Sequence, residues 1–231
     1  MALPTIKLPT YELKLPSSGK KIKYRPFIVK ERAILLLAMQ EDDLDGILRA
    51  IDNLFDVCTF GKCKLDDMPI VDSEFLFINI RNKSIGEDLD VIHGCDCGKD
   101  NEIRLSLDQL SVEGISGKTD IDLGDNIFLK MKYPTLNHAT LLAEGATEDS
   151  ILKVISSCID CIIEGDAVHK GEDSTLEELK DFVLGLTQIQ LNKIEDFFES
   201  IPKIVVHGNY KCKHCGKENE FKLEGLENFF G

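Results

Sequence analysis

Apolar and polar residues alternate through Tyr11, Leu13 and Leu15, break at a Pro-Ser-Ser-Gly turn, resume at Ile22 and Tyr24, and stop at Pro26. Period-two alternation on both sides of turn residues predicts a β-hairpin. A second stretch has the same layout: Ile121 and Leu123, a Gly-Asp-Asn turn, Phe128, then Lys132-Tyr133-Pro134. After each proline the pattern becomes helical, over Val29 to Gln40 and, shorter, over Leu136 to Glu144. Leu44, Ile47, Leu48, Ile51, Leu54, Phe55 and Cys58 then recur at three and four residues, which predicts an amphipathic helix. "DGILRAIDNLFD" from Asp45 and "DSILKVISSCID" from Asp149 share Asp, Ile, Leu, Ile and Asp at equal spacing. On that match Ile151, Leu152, Ile155, Cys158, Ile159 and Ile162 are expected to repeat the helical face.

More helical sequence follows in each half: "SEFLFINIRNKSIGE" from Ser73, then "STLEELKDFVLGL" from Ser174 and "TQIQLNKIEDFFESIP" from Thr187. Ser174 with Glu177, and Thr187 with Gln190, have capping-box spacing, and Ile194, Phe197, Phe198 and Ile201 form one apolar stripe. Each half ends in a cysteine knuckle. From Cys97 and from Cys215 the chain reads Cys-Gly-Lys-Asp-Asn-Glu-Ile-Arg-Leu and Cys-Gly-Lys-Glu-Asn-Glu-Phe-Lys-Leu, each mismatch keeping its charge or apolar character. Hairpin, helices, strand, knuckle and strand thus occur twice. The expected class is α+β, in two pseudo-repeated lobes covering residues 1–115 and 116–231. The boundary is placed in "SVEGISGKTD", residues 111–120, where glycine and small polar residues cluster.

The repeated knuckles carry the candidate chemistry. A structural Zn²⁺ site takes four soft ligands in a tetrahedron, and a knuckle with a glycine turn supplies two thiolates. Cys95 and Cys97 with Cys212 and Cys215 would complete one closed zinc site shared by the two knuckles. Cys95 and Cys97 are one residue apart where Cys212 and Cys215 are two apart, so replacement of Cys95 by His93 or His214, separate sites, and metal-free or disulfide-bonded cysteines stay open. A closed site has no position for a reacting water and so argues against metal catalysis. Cys58, Cys158 and Cys161 are expected to pack as small hydrophobes on helical faces. Cys63 falls in a polar loop, where exposure and a redox pairing with Cys58 are the alternatives to weigh. His138 is expected on a helix surface. The acidic runs 41–45 and 171–178 read as solvated helix starts, or as a face for a basic partner.

Charge and composition narrow the classes. Acidic residues outnumber basic ones 41 to 27, a formal charge of −14, which repels a phosphate backbone. The longest apolar run, Ala33 to Met39, is far below the roughly 20 residues of a membrane-spanning helix, and the amino terminus lacks a basic-then-apolar signal; a soluble cytosolic protein with reduced cysteines is expected. There is no phosphate-binding glycine loop, nucleophile elbow or zinc-protease helix, and no enzymatic activity is expected. A zinc-ribbon module binding nucleic acid through Lys211, Lys213 and Lys217, and a cysteine redox protein, are the competing classes.

The segments "KYRPFIVKE" at 23–31 and "FLFINIRNKSIGE" at 75–87, with the Cys-Gly-x-x-Asn knuckles, resemble the baseplate hub assembly protein family of T-even type contractile-tail bacteriophages. The likeness covers nearly the whole chain. It implies a non-enzymatic protein of viral tail morphogenesis, an assembly chaperone or a subunit of the baseplate hub. Its implied partners are hub and tape-measure proteins, with neither nucleic acid nor membrane. It would be made in the host bacterial cytoplasm and act there or in the virion tail.

Overall fold

The computed structural model describes residues 6–40, 44–114, 117–143 and 145–225. The chain opens with strands β1 (Tyr11–Lys14) and β2 (Lys21–Tyr24), helices α1 (Val29–Gln40), α2 (Leu44–Cys58) and α3 (Ile70–Ile85), and strands β3 (Asp88–Cys95), β4 (Lys99–Ser106) and β5 (Leu110–Glu113). There follow β6 (Asp120–Gly124), β7 (Ile127–Met131), α4 (Leu136–Ala143), α5 (Glu148–Ser157), β8 (Ile159–Glu164), β9 (Ala167–Lys170), α6 (Leu176–Leu184) and α7 (Gln188–Ser200). Strands β10 (Lys203–Lys211) and β11 (Glu218–Leu223) close the described chain. The class is α+β.

Two compact units emerge. The first takes the chain up to Leu65, Val71–Glu113 and everything from Lys203; the second takes Asp66–Ile70 and Gly114–Pro202. The change of unit after Glu113 falls inside the glycine-rich stretch 111–120. The last hairpin, β10–β11, groups with the first unit, where β10 pairs antiparallel with β5 from Lys203↔Glu113 to Val206↔Leu110.

In the first unit β1 and β2 form the expected hairpin, with Leu13, Ile22 and Tyr24 buried. Its turn is held to the start of α3: Ser17 donates from its backbone N–H (2.9 Å) and from its hydroxyl (2.5 Å) to the Asp72 carboxylate. Helix α2 buries the face read from its spacing, Ile51, Leu54, Phe55 and Cys58. Helix α3 buries Val71, Leu76, Phe77, Ile78 and Ile80, and apolar residues on more than one side mark it as the central helix. The knuckle hairpin β3–β4 and the sheet β11-β10-β5 meet in one core with α3, containing Val71, Ile78, Leu89, Ile103, Leu105, Ile204, Val206 and Phe221.

The second unit is an antiparallel sheet β6-β7-β8-β9 with α4 to α7. Here the structure corrects the pattern reading. Helix α5 ends at Ser157, and Ile159, Cys161 and Ile162 lie on strand β8, which pairs with β7 through Leu129↔Ile162 and Phe128↔Ile163. The reason is local: the segment is rich in β-branched isoleucine, and Gly165, at φ 59°, makes the turn into β9 that a helix would not allow. The cap of α6 is also one residue later than expected. The Ser174 N–H is committed to Gly171 O and its hydroxyl to Lys170 O, so Thr175 caps with Glu178 instead. Thr187 and Gln190 form the expected box. Ile194 and Phe197 are buried in the unit's core, with Phe198 and Ile201 half-buried against it. Of the acidic runs, residues 41–43 lie outside the described residues, and Glu177 and Glu178 occupy the first turn of α6, where they favour the helix dipole.

Gly208 on β10 faces Phe221 on β11, and a Cβ there would fall 2.4 Å from the Phe221 ring. That ring also stacks on His93, centroids 4.4 Å apart, so it has little room to move. Gly208→Ala is expected to destabilise the protein by about 1–3 kcal/mol through overpacking, measured by urea denaturation; an unchanged midpoint would show that the ring yields freely.

Candidate metal centre

Each knuckle is the turn of a hairpin. Between β3 and β4 the chain runs Cys95-Asp96-Cys97-Gly98, and the Gly98 N–H donates to Cys95 O at 2.8 Å. After β10 it runs Cys212-Lys213-His214-Cys215-Gly216, with Gly216 N–H donating to Cys212 O (3.0 Å) and Cys212 N–H to Lys217 O (2.8 Å). Both glycines are left-handed, φ 76° and 75°, a conformation that glycine alone adopts without strain. The Cys-x-Cys spacing is therefore accommodated by a turn one residue tighter, and Cys95 keeps its place in the site.

All four sulfurs converge. The Sγ atoms of Cys95, Cys97, Cys212 and Cys215 lie within 4.8 Å of one another and could hold a metal ion. Cys95 and Cys215 are 3.7 Å apart and Cys97 and Cys212 3.8 Å apart, each pair made across the two knuckles. Four thiolates about 2.3 Å from a tetrahedral ion would be spaced by about 3.8 Å, whereas a disulfide needs about 2.05 Å. Cys95 and Cys212 are buried, Cys97 and Cys215 exposed, so the group sits at the rim of the core. Both knuckles belong to the first compact unit, and a metal would close that unit.

Two asparagines line the sulfurs from matching positions, four residues after the second cysteine of each knuckle. Asn101 donates from Nδ2 to Cys212 Sγ (3.5 Å) and to Lys99 O (3.2 Å), and its Oδ1 accepts the Lys213 N–H (3.0 Å). Asn219 donates from Nδ2 to Lys217 O (3.0 Å), and its Oδ1 lies 3.7 Å from Cys95 Sγ. The Cys212 thiol is drawn down to about 6, first by the Cys215 backbone N–H and then by those of His214 and the Asn101 amide. Cys97 is pushed up to about 12 by desolvation and by its hydrogen bonds with the other three cysteines. Crowded thiols cannot all ionise beside one another; a cation among them would favour ionisation of the set. Lys217 forms an ion pair with Asp96 across the two turns.

Histidine takes no part in this group. His93 is hydrogen-bonded through Nδ1 to the Tyr210 hydroxyl (3.0 Å) and stacked on Phe221, and His214 offers its backbone N–H to Cys212 Sγ at 3.4 Å. Among the other cysteines, Cys58 and Cys158 are buried and their thiols pushed up to about 12 by that burial, while Cys161 is half-buried on β8. Cys63 is buried too, against the alternative of an exposed loop thiol, and its N–H donates to the Thr59 hydroxyl (3.1 Å). Burial raises its pKa as well, the reverse of what a redox thiol requires. His138 lies on α4, half-buried; it accepts the Thr135 N–H on Nδ1 (3.0 Å) at the start of that helix, and burial lowers its pKa. The sequence reading missed the roles of Asn101 and Asn219. Their signal was the asparagine shared by the two Cys-Gly-Lys-x-Asn copies.

A protein-family model described as T4 bacteriophage base plate protein matches residues 8–231. No curated protein and no solved structure matches the chain. Among the described residues no helix is long and apolar enough to cross a membrane.

Groups that orient metal ligands commonly contribute 10- to 100-fold to affinity. Asn101→Ala is expected to weaken metal binding by about that factor, read by competition with a chromogenic chelator, and Asn219→Ala to do so less. Unchanged affinity in both variants would leave the sulfurs as the only groups that matter.

Proposed function

Because the chain belongs to the T4 bacteriophage base plate protein family, we propose that it serves tail morphogenesis without catalysis, as an assembly chaperone or subunit of the central baseplate hub. The family match over residues 8–231 carries this reading. Its partners in the proposal are hub and tape-measure proteins, met in the host bacterial cytoplasm during assembly, with the finished tail as the second location. A net charge of −14 supports protein partners over nucleic acid. So does the engagement of two of the three knuckle lysines, Lys213 with Glu102 O and Lys217 with Asp96.

We also assign a structural Zn²⁺ to Cys95, Cys97, Cys212 and Cys215. Four thiolates fill a tetrahedral ion, so the metal would supply cohesion and leave no open position for substrate. The two halves, 1–115 and 116–231, are proposed to be copies of one ancestral lobe. Three features support this: hairpin, helices and knuckle hairpin recur in the same order, Gly98 and Gly216 share a backbone conformation, and Asn101 and Asn219 bond to the carbonyl two residues back.

Purified protein is expected to carry one zinc per chain, lost in Cys97→Ser and in Cys215→Ser together with a fall in Tm of roughly 10 °C or more. Carefully reduced wild-type protein without metal would remove the zinc assignment and leave the family reading intact. Separately, co-expression with hub and tape-measure proteins is expected to yield a complex on size-exclusion chromatography. No complex at any stoichiometry would count decisively against the chaperone role.

A further inference from the structure

Strand geometry sets two rings beside the four sulfurs. Side chains two apart along a strand share a face, so His93 goes with Cys95 on β3, and Tyr210, on β10, goes with Cys212 just beyond it. Both rings stand two residues before the first cysteine of their knuckle, which gives them matching places in the two copies. Directly across their hairpins lie the two asparagines that line the sulfurs, in the pairs His93↔Asn101 and Tyr210↔Asn219. Each knuckle hairpin thus carries a ring, a cysteine and an asparagine on one face.

The two faces are joined ring to ring. The Tyr210 hydroxyl lies 3.0 Å from His93 Nδ1 and donates to Gly94 O at 3.3 Å. A hydroxyl has one proton, so both bonds are made together only when His93 Nδ1 carries a hydrogen and donates it to the Tyr210 oxygen. The rings of His93 and Tyr210 meet edge to face, centroids 5.6 Å apart and planes at 72°. Phe221, from β11, stacks on His93 at 4.4 Å and 22° and meets Tyr210 edge-on at 5.9 Å and 72°. Three rings from both hairpins therefore make one contact, and Phe221 ties it into the core shared with α3. None of these contacts involves a sulfur.

We propose that His93, Tyr210 and Phe221 form a lock that holds the two knuckles face to face and so assembles the four-sulfur site before any metal enters. His93 and Tyr210 are positioning residues, acting through the turns that carry Cys95 and Cys212. The consequence for the metal rests on zinc occupying the four sulfurs, whereas the consequence for the sulfurs does not. Ligands already in place lose little freedom when an ion binds, so an intact lock slows zinc loss and a broken one hastens it.

The test uses the full-length chain, reduced and metal-free. Diamide takes one hydrogen from each of two thiols, becoming a hydrazine as their sulfurs join, and mass spectrometry after quenching maps which cysteines have paired. Wild-type protein should form Cys95–Cys215 and Cys97–Cys212 disulfides, from pairs already 3.7 and 3.8 Å apart. Tyr210→Phe keeps the ring and loses the hydroxyl; His93→Phe keeps an aromatic stack and loses Nδ1. Each should slow these disulfides about tenfold, the scale of a lost hydrogen bond, and the double variant should be no slower than either, because the bond is shared. Ile51→Val trims the buried face of α2 in the same unit, with a comparable loss of stability, and should keep the wild-type rate. With zinc bound, the two lock variants should keep the wild-type stoichiometry and lose the ion to a chelator about tenfold faster. Lock variants that oxidise or lose zinc at the wild-type rate would overturn the proposal. So would equal slowing by Ile51→Val, or wild-type disulfides confined within each knuckle. A wild-type chain that takes up no zinc would remove the metal assignment alone, and the oxidation rates would still decide the lock.

Discussion

Four sulfurs gathered from turns 115 to 120 residues apart in sequence are the constraint on which the first unit depends. Bringing them together closes a long loop, and thiolates at this spacing repel one another. The opposite displacements of Cys212, to about 6, and Cys97, to about 12, express that conflict. Both costs are met by the same surroundings. Hydrogen-bond donors are turned toward Cys212, β10 pairs with β5, and the two knuckle hairpins share a core with α3. The β10–β11 hairpin thereby completes a unit begun by the chain up to Leu65 and by Val71–Glu113.

That arrangement bears on function through what it leaves free. The four cysteines gather at the rim of the first unit's core, with His93 engaged by Tyr210 and Phe221. The chain itself belongs to the T4 bacteriophage base plate protein family. On α1, Val29, Leu36 and Leu37 are exposed, whereas α2 buries Ile51, Leu54, Phe55 and Cys58. The two neighbours show how the same composition serves different ends. Period-matched leucine and isoleucine on α2 build the interior, whereas a run of apolar residues on α1 exceeds what its one buried side can use.

Where residues carry their own local signal, sequence and structure agree. The α2 stripe, the two opening hairpins, the Thr187 cap and the stripe around Ile194 depend on spacing within a few residues, and spacing is visible in a linear chain. Disagreement arises where one segment fits two periods or two partners. Ile159 and Ile162 continue the helical count of α5, yet their β-branched side chains and Gly165 favour a strand once β7 is beside them. Ser174 and Thr175 are both competent caps, and a preceding 3-10 turn consumes the first. Cys63 reads as a loop residue open to solvent, yet it is buried, with its backbone N–H held by the Thr59 hydroxyl.

The sequence by itself determined two knuckles with the same glycine and asparagine, and four cysteines as candidate soft ligands. It could do so because turn geometry and metal preference are set by residue type and short spacing. Only the tertiary structure decided that the four sulfurs converge within 4.8 Å, with two pairs 3.7 and 3.8 Å apart across the knuckles, that Asn101 donates to Cys212, and that the C-terminal hairpin belongs with the first unit. Those outcomes depend on which strands pair across a hundred residues. Pairing of that kind is settled by the burial of a shared core, which no local stretch of sequence encodes.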